Sequence, residues 1–480
     1  MKTRRSILML IVLLFSVNYP YQSVQAGNEA PPVTRWVSPI EISKPLHEPL
    51  REIQPLELHS LVLDRLRPPA EVDADLGRIC LIVNHDVLTD IAQGLEQYET
   101  DLNRMGFDTI IYEYVSGTAE ALRSHLTALY QQPESLVGAV LIGNIPYVIY
   151  EVMQDFGTGS EYEDFPCDIF FMDLDGSWSD TLSDGSVQPG NGKYDTRGGN
   201  QDLEIWVSRL RTDNLSALGT ESQLLNTYFD KNHRYRHRTL IPGDEALVYN
   251  DDDWAYMALD DASHLEKIYD ASAITTIFDP EQTIKSDYVA NQLTAPYEFI
   301  FIRSHGYSGG HGFYRNGKSS FEYVYSRDYR QIVPAAVFYS LYVCSGADYT
   351  VDNNLAGTIA FNSDDSGLLS IGSTKTGGMW NASSFYSALA QGSVFGEAFR
   401  QWFNYVQSRF PDYTPPWWYG MVLVGDGALA RCSFIVQPCE GDFDEDGDID
   451  GADLEELSKN PGAMDIEAFA ARFGHSTCDG

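Results

Sequence analysis

The 480-residue sequence predicts an α/β protein, a doubly wound and mostly parallel sheet with flanking helices, followed by a small all-α C-terminal module. Three observations carry this. From Arg78 onward, short apolar runs alternate with segments of helical spacing, which is the order of βαβ units. Two of the runs, 297–303 and 335–343, are apolar and aromatic nearly throughout, as strands buried on both faces are. Each is followed by a tripeptide with chemistry, Ser304-His305-Gly306 and Cys344-Ser345-Gly346, at the carboxyl tip where open α/β sheets gather their sites.

Taken in order, residues 1–26 have the three parts of a secretory signal: Lys2, Arg4 and Arg5, an apolar stretch over 7–17, and the small-residue site Val24-Gln25-Ala26. That stretch is shorter than the roughly 20 residues of a membrane-spanning helix. No later stretch is long enough, so a secreted, extracellular chain without a membrane span is expected, its mature form starting near Gly27. Residues 27–75 are rich in proline and read as a linker, an N-terminal brace or a removable pro-segment. The α/β pattern then fills 76–433 in two halves, about 76–235 and 240–433. In the first half, strands are expected at 79–84, 108–114, 138–143 and 203–210, with helices at 88–105, 119–131 and 215–235. The Gly-, Asp- and Ser-rich stretch 155–200 reads as a long loop, and such loops are usually functional. In the second half, strands are expected at 246–250, before His305, before Cys344 and at 367–372, with a helix at 396–409.

Hydrophobic residues at 43% and aromatics at 12% place the chain among globular proteins. A formal charge of −37 without a basic stripe excludes a nucleic-acid binder. Six cysteines in an exported chain invite disulfides, but they are unevenly placed. Cys439 and Cys478 bracket the separate module at 439–480 and read as its staple. Cys80 reads as a small hydrophobe in a strand, and a bond between Cys167 and Cys432 is open. Cys344, between an apolar run and Ser-Gly, is out of place as a structural thiol.

Adjacent parallel strands would set the tips carrying His305 and Cys344 side by side. An imidazole and a thiol so placed can serve as base and nucleophile of a cysteine peptidase. A buried structural cysteine and an unrelated histidine would leave the same residues. Gly306 and Gly346 permit tight turns, and the N–H groups of Gly306 and Cys344 can form an oxyanion hole. His311, in a Gly-rich loop, is a rival base. The acidic stretch 173–195 offers oxygen ligands of the kind calcium takes, or is a solvated loop.

The His-Gly and Cys-Ser-Gly strand ends, in this order, resemble those of the gingipain-like peptidases, relatives of caspases and legumains. The likeness extends over about residues 76–433. Val140-Leu141-Ile142-Gly143-Asn144 is similar to the family's strand before the substrate loop. Phe165-Pro166-Cys167-Asp168-Ile169-Phe170-Phe171 resembles the stretch that supplies an acid to the specificity pocket. Leu203-Glu204-Ile205-Trp206-Val207-Ser208-Arg209-Leu210 and Ile371-Gly372-Ser373-Thr374 with Trp380 match two further strands, the last providing a pocket wall. The resemblance implies a caspase-like fold, His305 as base, Cys344 as nucleophile, and a pocket of Asp168, Ser373 and Trp380 that takes an Arg or Lys side chain. It puts Asn144 where the family has an acid that orients the histidine; an amide would stabilise imidazolium less than a carboxylate does.

Residues 442–453 match the calcium loop of an EF-hand. Asp442, Asp444, Asp446, Asp450 and Asp453 hold positions one, three, five, nine and twelve, with Asp448 at seven, Gly447 at six and Ile449 at eight. Asp rather than Glu at position twelve is similar to dockerin modules, which normally carry two loops where this tail has one. A calcium-stabilised cap, an anchoring tail and a cohesin-like or cell-surface partner stay open. The reading is a secreted, calcium-bearing cysteine endopeptidase acting on protein or peptide substrates through a Cys–His dyad. Its alternative is a catalytically weak or inactive relative acting as a calcium-dependent extracellular binding or anchoring protein. A polysaccharide hydrolase would need two carboxylates across a cleft, and no pair stands out.

Overall fold

The computed structural model of the protein describes residues 47–48, 54–61, 76–155, 160–315, 317–410 and 415–431, and in the C-terminal part 441, 443, 449, 451–460, 464–470 and 472–474. An 11-stranded sheet runs in the spatial order Glu57–Leu61, Asp108–Ser116, Arg78–Asn84, Leu136–Ile142, Trp206–Leu210, Met421–Gly425, Leu369–Ser373, Phe338–Tyr342, Tyr297–Arg303, Glu245–Asn250, Ile274–Ile277. Arg78–Asn84 is paired in parallel on both sides, Cys80 lying opposite Ile110 and Ala139. Tyr297–Arg303 is likewise parallel to Glu245–Asn250 and to Phe338–Tyr342.

Side chains along a strand alternate between its two faces, so each strand feeds two apolar layers. Ile79, Leu81 and Val83 join the layer covered by the helices His85–Arg104, Glu221–Arg236 and Leu355–Phe361. Cys80 and Ile82 join the layer covered by Ala119–Tyr130, Ala258–Leu265, Ser383–Ala390 and Phe395–Arg409. The expected mostly parallel sheet with flanking helices is thus what the chain forms. Local signals set the helix starts. Asn84 ends its strand and caps the next helix by accepting from the Asp86 N–H at 2.8 Å. The helix expected from 215 begins at Glu221, because Thr220 and Gln223 form a capping box.

Several expectations are corrected. The stretch 155–200 is no single loop: Ile149–Asp155 and Ser160–Pro166 form a hairpin, followed by further short elements. Three of its acids accept from protein donors. Asp173 accepts from Arg197 at 2.5 Å and from the Gly176 N–H at 2.6 Å. Asp180 takes the N–H groups of Gly190 and Gly192, and Asp195 those of Thr181 and Leu182. Asp173, Asp175 and Glu204 have ligand atoms within 4.8 Å of one another. The proline-rich segment contributes Glu57–Leu61 as an antiparallel edge strand, which is a brace on the sheet. Met421–Gly425, antiparallel to Leu369–Ser373, was not expected and sits between the two halves. Cys167 is a buried free thiol that donates to the Tyr419 carbonyl at 3.3 Å, so it is not bonded to Cys432.

Residues 1–26, Cys432, Cys439, Cys478 and the loop acids Asp442, Asp444, Asp446, Asp448 and Asp450 lie outside the described residues. In the C-terminal part, Ile449, Leu457 and Phe469 pack together, the latter two on the helices Gly451–Lys459 and Ile466–Ala470. Among the described residues no helix is long and apolar enough to cross a membrane.

Candidate active site

The register of two strands sets His305 and Cys344 beyond neighbouring strand ends. Arg303 pairs with Tyr342, and the Ser304 N–H donates to the Tyr342 carbonyl at 3.2 Å, so His305 and Cys344 each stand two residues beyond the same rung. The strand ends are pinned. Arg303 is buried, bonded to Asp261 at 2.9 and 2.5 Å, and lies 4.0 Å over the Tyr342 ring. Gly306 leaves no room for a side chain: a Cβ there would meet Val343 Cγ1 at 2.3 Å and the Gly310 carbonyl at 2.7 Å. The left-handed turn after the nucleophile falls on Ser345, at φ +54°, and not on Gly346. A non-glycine residue in that region costs on the order of 1 kcal/mol, so the surroundings must hold it. They do: the Ser345 N–H donates to the Lys375 carbonyl at 2.8 Å, and the Ala347 N–H to the Ser373 carbonyl at 3.0 Å.

His305 is fully buried, and its Nε2 is 2.6 Å from Asp253 Oδ2. Trp254 packs its ring 4.5 Å from the imidazole, and Tyr314 meets it edge-on at 5.2 Å. Burial pushes the imidazole below its ordinary pKa, with Asp253 pulling the other way. The ring is therefore neutral near pH 7, the state a base requires. Burial opposes ionisation of Asp253 too, but the bonds to His305 and Lys318 hold its carboxyl below the usual range. Asp251 is buried beside it, accepts the Tyr314 N–H at 3.0 Å, and is pushed up to about 8 by burial and the neighbouring Asp252. Asp251, Asp253 and His305 have ligand atoms close enough to share a metal ion, and Asp253 also bonds Lys318.

Asp253 therefore has the place that the sequence reading gave to Asn144. Asn144 is exposed at the end of Leu136–Ile142, and its carbonyl accepts from Asn84. That strand is five positions from Tyr297–Arg303 in the sheet, roughly 24 Å at strand spacing. Asp253 was missed although it follows a buried strand, Glu245–Asn250, just as His305 and Cys344 do. His311 is buried against the Tyr329 hydroxyl at 2.9 Å and Ser304 Oγ at 3.3 Å, with its pKa driven down to about 3 by burial, which removes it as a rival.

The expected pocket is also redrawn. Asp168 is buried and taken twice by Arg209, at 2.7 Å each, and by the Tyr349 hydroxyl at 2.8 Å. It pins the Trp206–Leu210 strand, and both its oxygens are engaged by the protein. Ser373 is buried and accepts the Lys375 N–H at 3.2 Å. Trp380 lies tilted against Phe410 at 4.9 Å and stacks on Trp418 at 6.3 Å. Two other acids stand close together, Asp348, four residues past Cys344, and Asp164 from the hairpin. Between them lies His47 from the N-terminal segment: Nδ1 is 3.0 Å from Asp164 Oδ1 and Nε2 3.0 Å from Asp348 Oδ2. Burial opposes a charge on that ring, but the two carboxylates raise it to about 9, so it is imidazolium at neutral pH. Lys193 bonds the other Asp164 oxygen at 2.5 Å.

This arrangement of the sheet has solved counterparts. The Arg-specific cysteine proteinase gingipain R superposes with a TM-score of 0.53 at 14% identity, over 77% of this chain and 81% of that one. The complex of the Porphyromonas gingivalis RgpB pro- and mature domains gives 0.52 at 14%, over 75% and 81%. A structure described only as a protease gives 0.54 at 10%, over 76% and 80%. Neither a protein-family model nor a curated protein matches the chain. The chain has the gingipain-like, caspase-type fold.

Proposed function

We propose that the protein is a secreted cysteine endopeptidase. The observation that carries this is the pairing of Tyr297–Arg303 with Phe338–Tyr342, which sets His305, held by Asp253, level with Cys344 at one sheet edge. Cys344 passes its proton to His305, and the thiolate Sγ attacks the peptide carbonyl carbon. The N–H groups of Gly306 and Cys344 face the developing oxyanion. His305 returns the proton to the leaving amine, the C–N bond breaks and a thioester remains. Water, deprotonated by the same imidazole, then releases the acid and restores the thiol.

A substrate with a basic side chain before the scissile bond suits the Asp164–Asp348 pair, which already binds the cationic His47. Asp442, Asp444, Asp446, Asp450 and Asp453 would hold one calcium ion; Asp453 is buried and accepts the Phe443 N–H at 2.5 Å, closing one end of the loop on the other. When bound, the ion supplies cross-linking charge and no catalysis. Leu454, Ile466 and Phe473 are exposed on that module and give a cohesin-like or cell-surface partner apolar surface to contact.

The test is labelling with a peptidyl electrophile bearing Arg, followed by mapping of the modified residue. Modification of Cys344, with peptide cleavage lost in Cys344→Ala, supports the reading. A chain that stays unlabelled and inert on peptide libraries points to the binding protein instead.

A further inference from the structure

Away from the dyad, the helices His85–Arg104 and Glu221–Arg236 pack side by side and leave a groove of about 700 Å³ lined by Asp90, Glu96, Asp101, Arg104, Asp230 and His233 among others. Two of its lining residues, Asp101 and His233, form a cluster with His237 beside the groove. His233 and His237 stand one helical turn apart, the second at the helix C-cap, with ring centroids 4.1 Å apart. Asp101, 2% exposed, reaches both from the other helix: Oδ2 is 2.9 Å from His233 Nδ1 and Oδ1 is 2.9 Å from His237 Nε2.

We propose that Asp101, His233 and His237 form a binding site for a zinc-type divalent cation that clasps the two helices together. The ligand atoms all lie within 4.8 Å of one another. Zinc–nitrogen and zinc–oxygen bonds of about 2.0–2.2 Å at tetrahedral angles put ligand atoms roughly 3.4 Å apart, so the two Asp–His pairs open by about half an ångström to admit the ion. Two imidazoles and one carboxylate select zinc and its late first-row neighbours over calcium and magnesium, which prefer oxygen. The partial exposure of the His233 side chain, 30%, leaves a fourth position toward the groove for water. Asp90, Glu96 and Asp230 make the mouth acidic, against Arg104 on the same wall. The nearest buried cation, Arg236, is committed to Asp426 at 2.5 Å and Asn232 at 2.8 Å. The site is remote from the dyad and independent of the peptidase reading.

Titration calorimetry with zinc on the full-length Cys344→Ala chain in saturating calcium tests it, with the thiol removed as a competing ligand. One equivalent of zinc should bind, and His233→Gln should weaken binding more than about tenfold. Asp101→Asn should do the same, and His233→Gln keeps the test decisive if that variant fails to fold. Cobalt should give the visible bands of a tetrahedral nitrogen–oxygen site, absent in His233→Gln. An isotherm that His233→Gln leaves unchanged, or a site that calcium occupies as readily as zinc, overturns the proposal.

Discussion

Asp168→Ala is the sharpest test of the redrawn pocket. Arg209 is fully buried, and its charge is met by both Asp168 oxygens, with only the Ile145 and Pro146 carbonyls as further acceptors. Removing the carboxylate leaves a buried guanidinium without its counter-charge, a loss of about 3–5 kcal/mol. A domain of roughly 350 residues has an unfolding entropy near 0.7 kcal/mol per degree, so the midpoint should fall by roughly 4–7 °C. Calorimetric melts of wild type, Asp168→Ala, Arg209→Met and the double variant measure this as a cycle. The double variant should be more stable than Asp168→Ala, because no unpaired charge remains. Selectivity for Arg substrates, in whatever activity survives, should not change. An Asp168→Ala chain that melts within about 1 °C of wild type but loses Arg selectivity would refute the structural role and restore Asp168 to the pocket.

Other outcomes follow from the same geometry. Asp348→Asn should raise KM for Arg substrates about tenfold or more with a smaller change for neutral ones, as loss of a charge-assisted bond requires; equal effects on both would remove Asp348 from the pocket. His47→Ala should lower KM for the same substrates. Because the His47 pKa is raised from its unfolded value to about 9, its docking is strongest below about pH 6.5 and is lost as pH rises through 9. The advantage of His47→Ala over wild type should therefore shrink between pH 7 and 9, and a pH-independent ratio would count against the contact. Asp253→Asn should cut kcat about 10²–10⁴-fold. It should also move the acid limb of the kcat/KM profile lower, since the carboxylate is what raises the His305 pKa against burial; a limb that moves upward would contradict that. Asp442→Ala should abolish calcium binding by the C-terminal loop while leaving peptide turnover intact, as calorimetry and a kinetic assay together would show.

The sequence by itself determined the alternating strand–helix order, the burial of Tyr297–Arg303 and Phe338–Tyr342, and therefore His305 and Cys344 as the residues at their tips. These are local properties: a continuous apolar run reports a strand covered on both faces wherever that strand lies in the sheet. What a side chain finds at such a tip is not local. Asp168 and Asp164 are four residues apart in the same acidic stretch, yet one is closed by Arg209 and the other meets His47, 117 residues earlier in the chain. Asn144 and Asp253 each follow a buried strand, and only the sheet order sets one five strands from His305 and the other beside it. Likewise Met421–Gly425, which was not expected as a strand, lies between the two halves of the sheet. Which carboxylate is used by the protein and which is left to a ligand depends on charges that folding brings together from distant positions. Coulomb attraction and desolvation act through space, so the tertiary structure alone decided which acid meets His305, which acids meet His47 and the His–Asp–His cluster between the two helices.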